Sequence, residues 1–289
     1  MTTTTSSFRV RYAEIAGDHV YYANYFAWIE ANMGGFYREH DIPWLGFERT
    51  GVTTMVAESY ARFIRPARYD DVVTVATTFA AVAPKRAYFE HEISRGGELL
   101  AQIRTTHVLR VAAQEGLQVI PEHVARLAGR RVERVEVLDS PGDFPDADGC
   151  GAGEDGGVKL CNVTEFPVRY KETDAVGTVY FSNHYVYYEI GRTELLRAAG
   201  TSFTDLKAGG VRLPVARAYC RYLAPIPYGD SVSVRTWVAA ARKVQLTFRY
   251  DLLRKSDGAP FAAGFSTHGC LDASGRAVRV PESLGKLAK

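Results

Sequence analysis

Sulfur is scarce in this chain: four cysteines and three methionines among 289 residues. Cys150, Cys161, Cys220 and Cys270 form no C-x-x-C pair and no ligand spacing, which argues against a zinc or iron–sulfur site. The expectation is four free thiols in a reducing cytoplasm, with no metal or organic cofactor. An excess of one charge is also missing. The formal net charge is +2, so no global field draws nucleic acid or a membrane surface. No apolar run approaches the ~20 residues that a membrane span needs. The first residues, Met1-Thr2-Thr3-Thr4-Thr5-Ser6-Ser7, have neither a basic region nor an apolar stretch, so no secretory signal is read there. What remains is ordinary for a globular protein, 46% apolar and 24% charged, with length for two domains.

The chain says the same thing twice. Phe8-Arg9-Val10-Arg11-Tyr12-Ala13-Glu14 returns as Phe166-Pro167-Val168-Arg169-Tyr170-Lys171-Glu172. The stretch 20–30 returns as 179–189, and Pro121-Glu122 near one end returns as Pro281-Glu282. The offset drifts from 158 through 159 to 160, so this is a domain-sized duplication and not a short solenoid repeat. The two domains are expected at 1–138 and 161–289, joined by a flexible linker over 139–160, where Ser140 to Gly157 is rich in Gly, Pro and Asp.

Each copy reads as strand, loop, helix and a run of strands. In the second, a strand is expected over 166–172 and a helix over 182–199, capped by Ser182 or Asn183 and stopped by Gly200. His184, Tyr188, Gly191 and Leu195 fall on one helical stripe, with Glu194 and Arg197 off it. Val232, Val234, Thr236 and Val238 alternate; so do Val244, Leu246, Phe248 and Tyr250; a last strand covers 261–271. The first copy repeats this, with a helix over 24–40 and strands near 73–79, 88–94 and 99–111. One helix with a long antiparallel sheet is α+β. A single helix covers only part of a sheet face, so the copies are expected to pair as an intramolecular pseudodimer, helped by the tether.

The copies differ in the loop before the helix. In the second it contains Asp174, with Gly177 three residues on and Val179-Tyr180-Phe181 leading to Ser182. This pattern resembles the hotdog-fold thioesterases of the 4-hydroxybenzoyl-CoA thioesterase type. Tyr185, Glu189, Arg192, Glu194 and Arg197 continue the resemblance down the helix. Tyr69-Asp70-Asp71-Val72 and Tyr228-Gly229-Asp230 continue it at the start of the second long strand of each copy. The resemblance covers both copies and implies two tandem hotdog domains, each a long antiparallel sheet around one main helix.

It also implies a thioesterase hydrolysing an acyl-CoA or an acyl-carrier-protein thioester. Asp174 would be base or nucleophile, the backbone N–H of Phe181 the oxyanion donor, and Gly177 the residue that lets the loop turn beside the substrate. The chemistry suits such an arrangement: a carboxylate attacks or activates water, and a helix N-terminus offers N–H groups to the developing oxyanion. An Asp in a loop can equally be a turn residue. The basic pairs Lys85-Arg86 and Arg242-Lys243 occupy turns that, in the family, hold the CoA phosphates; a solvated turn is the alternative. His184 and Glu189, on the helix, and Glu58, on a first-copy strand, are candidate supporting residues. His107 and His268 recur after a Thr in the last strand and read as structural.

The first copy departs from the pattern. Five residues separate Glu14 from Val20, where six separate Glu172 from Val179, and Ala16 stands where Asp174 would be. Its site is expected to be degenerate, unless Asp18, beside His19, replaces the missing acid. Two rival functions differ in one feature each. A hydratase or dehydratase needs a His five residues after the Asp, and that position is Val179. A non-catalytic acyl-CoA sensor has no use for Asp174. A further homo-oligomer of the pseudodimer is compatible with the sequence.

Overall fold

The computed structural model describes residues 2–42, 52–111, 114, 116–133 and 160–288. The expected linker, 139–160, lies outside the described residues but for its last position. The chain divides into two compact units, Met1–Ser140 and Pro141–Lys289.

In the first unit the strands are β1 (Thr3–Arg9), the two-residue β2 (Ile15–Ala16) and β3 (His19–Val20), β4 (Val52–Phe63), β5 (Val72–Ala83), β6 (Arg86–Arg95) and β7 (Glu98–Val111). Helix α1 (Asn24–Glu39) follows β3. The main strands run in the order β1-β5-β6-β7-β4, every pairing antiparallel. The second unit has β8 (Cys161–Pro167), helix α2 (Asn183–Ala198), β9 (Val215–Tyr222), β10 (Ser231–Arg242), β11 (Gln245–Arg254) and β12 (Pro260–Gly269). Their order is β8-β10-β11-β12-β9, which is the first order with each strand replaced by its repeat. The duplication read in the sequence is thus a duplication of topology.

Alternation makes the sheets. β5 buries Val73, Val75, Thr77 and Phe79, and β10 buries Val232, Val234, Thr236 and Val238. The helices lie on these faces. In the first unit Met33, Phe36 and Tyr37 pack with Phe79 and Phe89, whose rings stack at 4.7 Å. In the second, His184, Tyr188, Gly191 and Leu195 are all buried, while Arg197 is exposed. Gly191 sets how close α2 comes: a Cβ there would overlap Thr236 Oγ1 and Val234 Cγ1.

Three readings are corrected. The strand expected over 166–172 ends at Pro167, and Tyr170–Glu172 is a 3-10 turn. The apolar alternation continued past the strand, but Arg169 and Glu172 close a capping box that turns the chain there. Ser182 occupies the N-cap of α2 without a side-chain cap bond, and Asn183 donates backwards to Glu172 O at 2.8 Å. Of the cysteines, Cys220 and Cys270 are free and buried, but Cys161 is disulfide-bonded. This bond removes the argument from free thiols for a reducing compartment. No helix among the described residues is long and apolar enough to cross a membrane.

Candidate active site

The start of each helix is held by one buried carboxylate. In the second unit Glu172 accepts the Arg169 backbone N–H and guanidinium and the Tyr187 hydroxyl at 2.8 Å. Its own carbonyl accepts the N–H of Tyr180 and the side chain of Asn183. In the first unit Glu14 does the same with Arg11, Trp28, Tyr21 and Asn24. Burial raises the Glu14 carboxyl, but the bonds from Arg11 outweigh it and hold the group below its ordinary value. The sequence reading passed over this clamp, although both halves of it, the Glu and the Asn, recur in the two copies.

The loop between clamp and helix is where the units part. In the first, β2 and β3 form a minimal hairpin, Ile15 opposite Val20 and Ala16 opposite His19, turned by Gly17 at φ +76°. In the second, Thr173 faces Val179 and the loop between them is one residue longer. Val20 and Val179 are both anchored by their N–H, to Ala67 O and Ile226 O. With these anchors superimposed, Ala16 follows Ile15 as Asp174 follows Thr173.

Asp174 is half-buried. Its Oδ1 accepts the N–H groups of Val176 at 3.1 Å and Thr178 at 3.2 Å, and its own N–H donates to Thr178 O at 2.8 Å. Thr178 Oγ1 lies 3.5 Å from both Oδ1 and Oδ2, and among the described residues Oδ2 has no closer donor. The turn reading and the catalytic reading therefore share one side chain: one oxygen shapes the loop and the other is not needed for it. Gly177 lies at φ +81°, a left-handed backbone that a side chain would strain. Asp18 is placed differently. It is exposed, bonded to His19 Nδ1 at 2.9 Å, and its backbone carbonyl accepts the Arg68 guanidinium at 3.0 Å.

At the start of α2, the N–H groups of Asn183, His184 and Tyr185 bond the carbonyls of Tyr180, Phe181 and Ser182. These three donors are used within the turn. Phe181 O also accepts the Tyr222 hydroxyl at 3.1 Å. His184 is 3% exposed, its ring against Tyr222 at 4.8 Å. Burial lowers its pKa to about 4, with the carbonyls of Phe181 and Tyr180 opposing, so the ring is neutral at pH 7. Glu189 lies farther along α2 and accepts from Thr193 Oγ1 at 2.9 Å.

The fold does not bring the other candidates to Asp174 within its own unit. The Asp174 loop sits at the Ser231 end of β10, where Tyr228 N–H donates to Gly177 O and Thr178 bridges Pro227. Arg242 and Lys243 are exposed at the other end of this 12-residue strand, on the order of 35 Å away at about 3.3 Å per residue. Lys85 and Arg86 close the β5–β6 turn of the first unit in the same way, and Glu58 lies at the bulge of β4. His107 and His268 are buried in hydrogen-bonded chains, His107 to Thr105 and His268 to Ser266 and Leu213 O. Among the described residues no group of three or more His, Cys, Asp or Glu is placed to hold a metal ion.

The profile of the thioesterase-like superfamily matches this chain twice, at residues 11–127 and 168–287. The chain belongs to the thioesterase-like superfamily. Its fold is the hotdog fold in tandem, and its class of chemistry is hydrolysis of thioester bonds. YneP of Bacillus subtilis (strain 168) is 33% identical over 108 residues, which are 37% of this chain and 78% of that protein. Acyl-CoA thioester hydrolase YbgC of Escherichia coli O6:H1 is 36% identical over 91 residues, 30% of this chain and 68% of that one. Among solved structures, the 12:0-ACP thioesterase from Umbellularia californica superimposes with a TM-score of 0.72 at 10% identity, covering 93% of this chain and 94% of that one. This superfamily member therefore shares local sequence with proteins about half its length and a fold with one of its own length.

Proposed function

We propose that this thioesterase hydrolyses an acyl-CoA or acyl-carrier-protein thioester at the Asp174 loop of its second unit, in the manner of the 4-hydroxybenzoyl-CoA thioesterase type. The observation that carries the reading is the one-residue difference between two otherwise equivalent loops, which leaves an acid beside α2 and an alanine beside α1. The name of YbgC supports a CoA thioester and that of the Umbellularia protein a carrier-protein thioester.

In the reaction, Oδ2 of Asp174 takes a proton from water while the water oxygen attacks the thioester carbonyl. The carbonyl oxygen gains the negative charge and is met by the Phe181 N–H at the positive end of α2. Collapse of this intermediate breaks the C–S bond, the proton passes to the departing thiolate, and free acid and thiol remain. Direct attack by Asp174, followed by hydrolysis of the mixed anhydride, gives the same products. The basic turns at 85–86 and 242–243 stand outside the loop's own unit-two surroundings and are not assigned a step. Asp174→Asn is the test: thiol release over a panel of acyl-CoA and acyl-carrier-protein substrates falls at least about 100-fold with the melting temperature unchanged. A variant that keeps most of its turnover removes Asp174 from the mechanism.

A further inference from the structure

A comparison of the two helix starts separates what the fold needs from what one copy alone keeps. The clamp, the valine anchor and the helix-start asparagine are present in both units, so they serve the fold. Four positions behave otherwise. In the second unit Tyr222 Oη donates to Phe181 O at 3.1 Å, its ring lies edge-on to His184 at 4.8 Å, and its hydroxyl is within bonding reach of the Cys220 thiol. Cys220 in turn accepts from the Tyr188 hydroxyl at 3.2 Å. The strand registers and the 159-residue offset place Phe63, Tyr25, Ala61 and Ile29 at these positions in the first unit. There Phe63 packs edge-on to Tyr22 at 6.0 Å and to Tyr25 at 5.2 Å, the Tyr25 hydroxyl accepts the Ala67 N–H at 2.9 Å, and a phenylalanine at position 63 has no hydroxyl to give. The first unit supports its helix with a phenylalanine at this strand position, so packing does not require the Tyr222 hydroxyl. The polar set, running from Tyr188 through Cys220 and Tyr222 to the carbonyl of Phe181, exists only beside the loop that carries the acid.

We propose that Tyr222 is a positioning residue of the Asp174 site, whose hydroxyl, bonded to the Phe181 carbonyl, holds the turn that aims the Phe181 N–H at the thioester. This rests on the function proposed above. A donor acts on an oxyanion only when it is already oriented before the charge develops. Phe181 stands at the junction of loop and helix, where the regular helical ladder has not begun. The bond from β9 ties this residue to the sheet, and the His184 ring, neutral and closely packed, keeps the phenol from swinging away. Bonds to the turn exist before and after reaction, so the effect is on the alignment of the donor and not on the affinity for substrate.

Tyr222→Phe removes the hydroxyl and keeps the ring. The expected result, on whichever acyl-CoA the protein turns over fastest, is a fall in kcat of about 10-fold or more, with KM changed less than about 2-fold. In the Asp174→Asn background, which holds the thioester without cleaving it, the infrared carbonyl band of the bound substrate is expected to shift back towards its position in water when Tyr222→Phe is added. Phe63→Tyr in the first unit is the control and leaves kcat unchanged. An unchanged kcat and an unmoved carbonyl band in Tyr222→Phe, with Asp174→Asn inactive, overturn the proposal and leave the Asp174 reading standing. A rise in KM with kcat intact also overturns it, since that is a binding or packing role. If Tyr222→Phe is too unstable for kinetics, the carbonyl band in substrate-stabilised protein decides alone. Retained turnover in Asp174→Asn strikes the underlying reading instead.

Discussion

At the scale of single residues, the two units differ at the position after Ile15 and Thr173, and the proposed function places the working site by that difference. Asp174 and Ala16 follow equivalent anchored residues, and only the former offers a carboxylate oxygen not consumed by its own turn. Asp18 is nearby in sequence but is bonded to His19 and lies against Arg68 on the surface. Asp18→Ala is therefore expected to leave kcat within about 2-fold of the parent protein, while Asp174→Asn abolishes turnover. Steady-state thiol release on the two variants checks this; equal damage shows that the first unit supplies the acid. Asp174 and Gly177 could be picked out in the sequence because they form a local pattern. Tyr222 could not, because it reaches Phe181 from 41 residues away across the fold.

At the scale of elements, helix and sheet meet through small or bonded residues. Gly191 lets α2 close on Thr236, where the first unit uses Asn32, bonded through Nδ2 to Thr77 Oγ1 at 2.8 Å. Gly191→Ala improves helix propensity by about 1 kcal/mol but forces a methyl group into Thr236 and Val234. The net result is a loss of about 1–2 kcal/mol, read from the midpoint of urea unfolding. The clamps make a second comparison. Glu14→Gln and Glu172→Gln each weaken charge-assisted bonds in a buried setting, at a cost of about 1–3 kcal/mol. Only Glu172→Gln is expected to lower kcat as well, since only that clamp holds the loop proposed to supply the catalytic acid. Equal loss of kcat in both variants would link the first loop to the chemistry. The main helices and the last three strands of each unit were legible because they alternate with period two or follow a helical stripe; β4 and β9 were not delimited. The 3-10 turn at 170–172 was not, because a reciprocal Arg169–Glu172 box ended an alternation that the apolar residues carried on.

At the scale of the whole molecule, buried histidine sets the acid limit. His91, His107 and His268 are held to about 3 and His184 to about 4, chiefly by burial. The unfolded chain, with histidines near 6.5, binds protons before the folded one does. Stability is therefore full above about pH 6.5 and falls as pH drops towards 4, by about 1.4 kcal/mol per pH unit for each group. Together the four make unfolding between pH 6 and 4.5 steep, and a melting-temperature series over that range measures it. A flat series over the range would show that these rings are reached by water or counter-charge. Replacing His91 by Gln is expected to shallow the slope by about a quarter.

The sequence by itself determined the duplication, the α+β class, the helix and three long strands of each copy, and the loop in which the copies differ. These are local or repeated features, and repetition makes a pattern visible without knowledge of what touches what. Tertiary structure decided the rest. It showed that one carboxylate in each unit clamps the helix start, and that Asp174 accepts the turn N–H groups of Val176 and Thr178 through Oδ1. It also placed the Arg242–Lys243 turn at the far end of a 12-residue strand from the Asp174 loop. The disulfide at Cys161 and the hydroxyl bond from Tyr222 likewise appeared only in three dimensions. The Tyr222 bond joins groups 41 residues apart, a separation that carries no periodic signal, so only the folded sheet and its helix bring them within bonding distance.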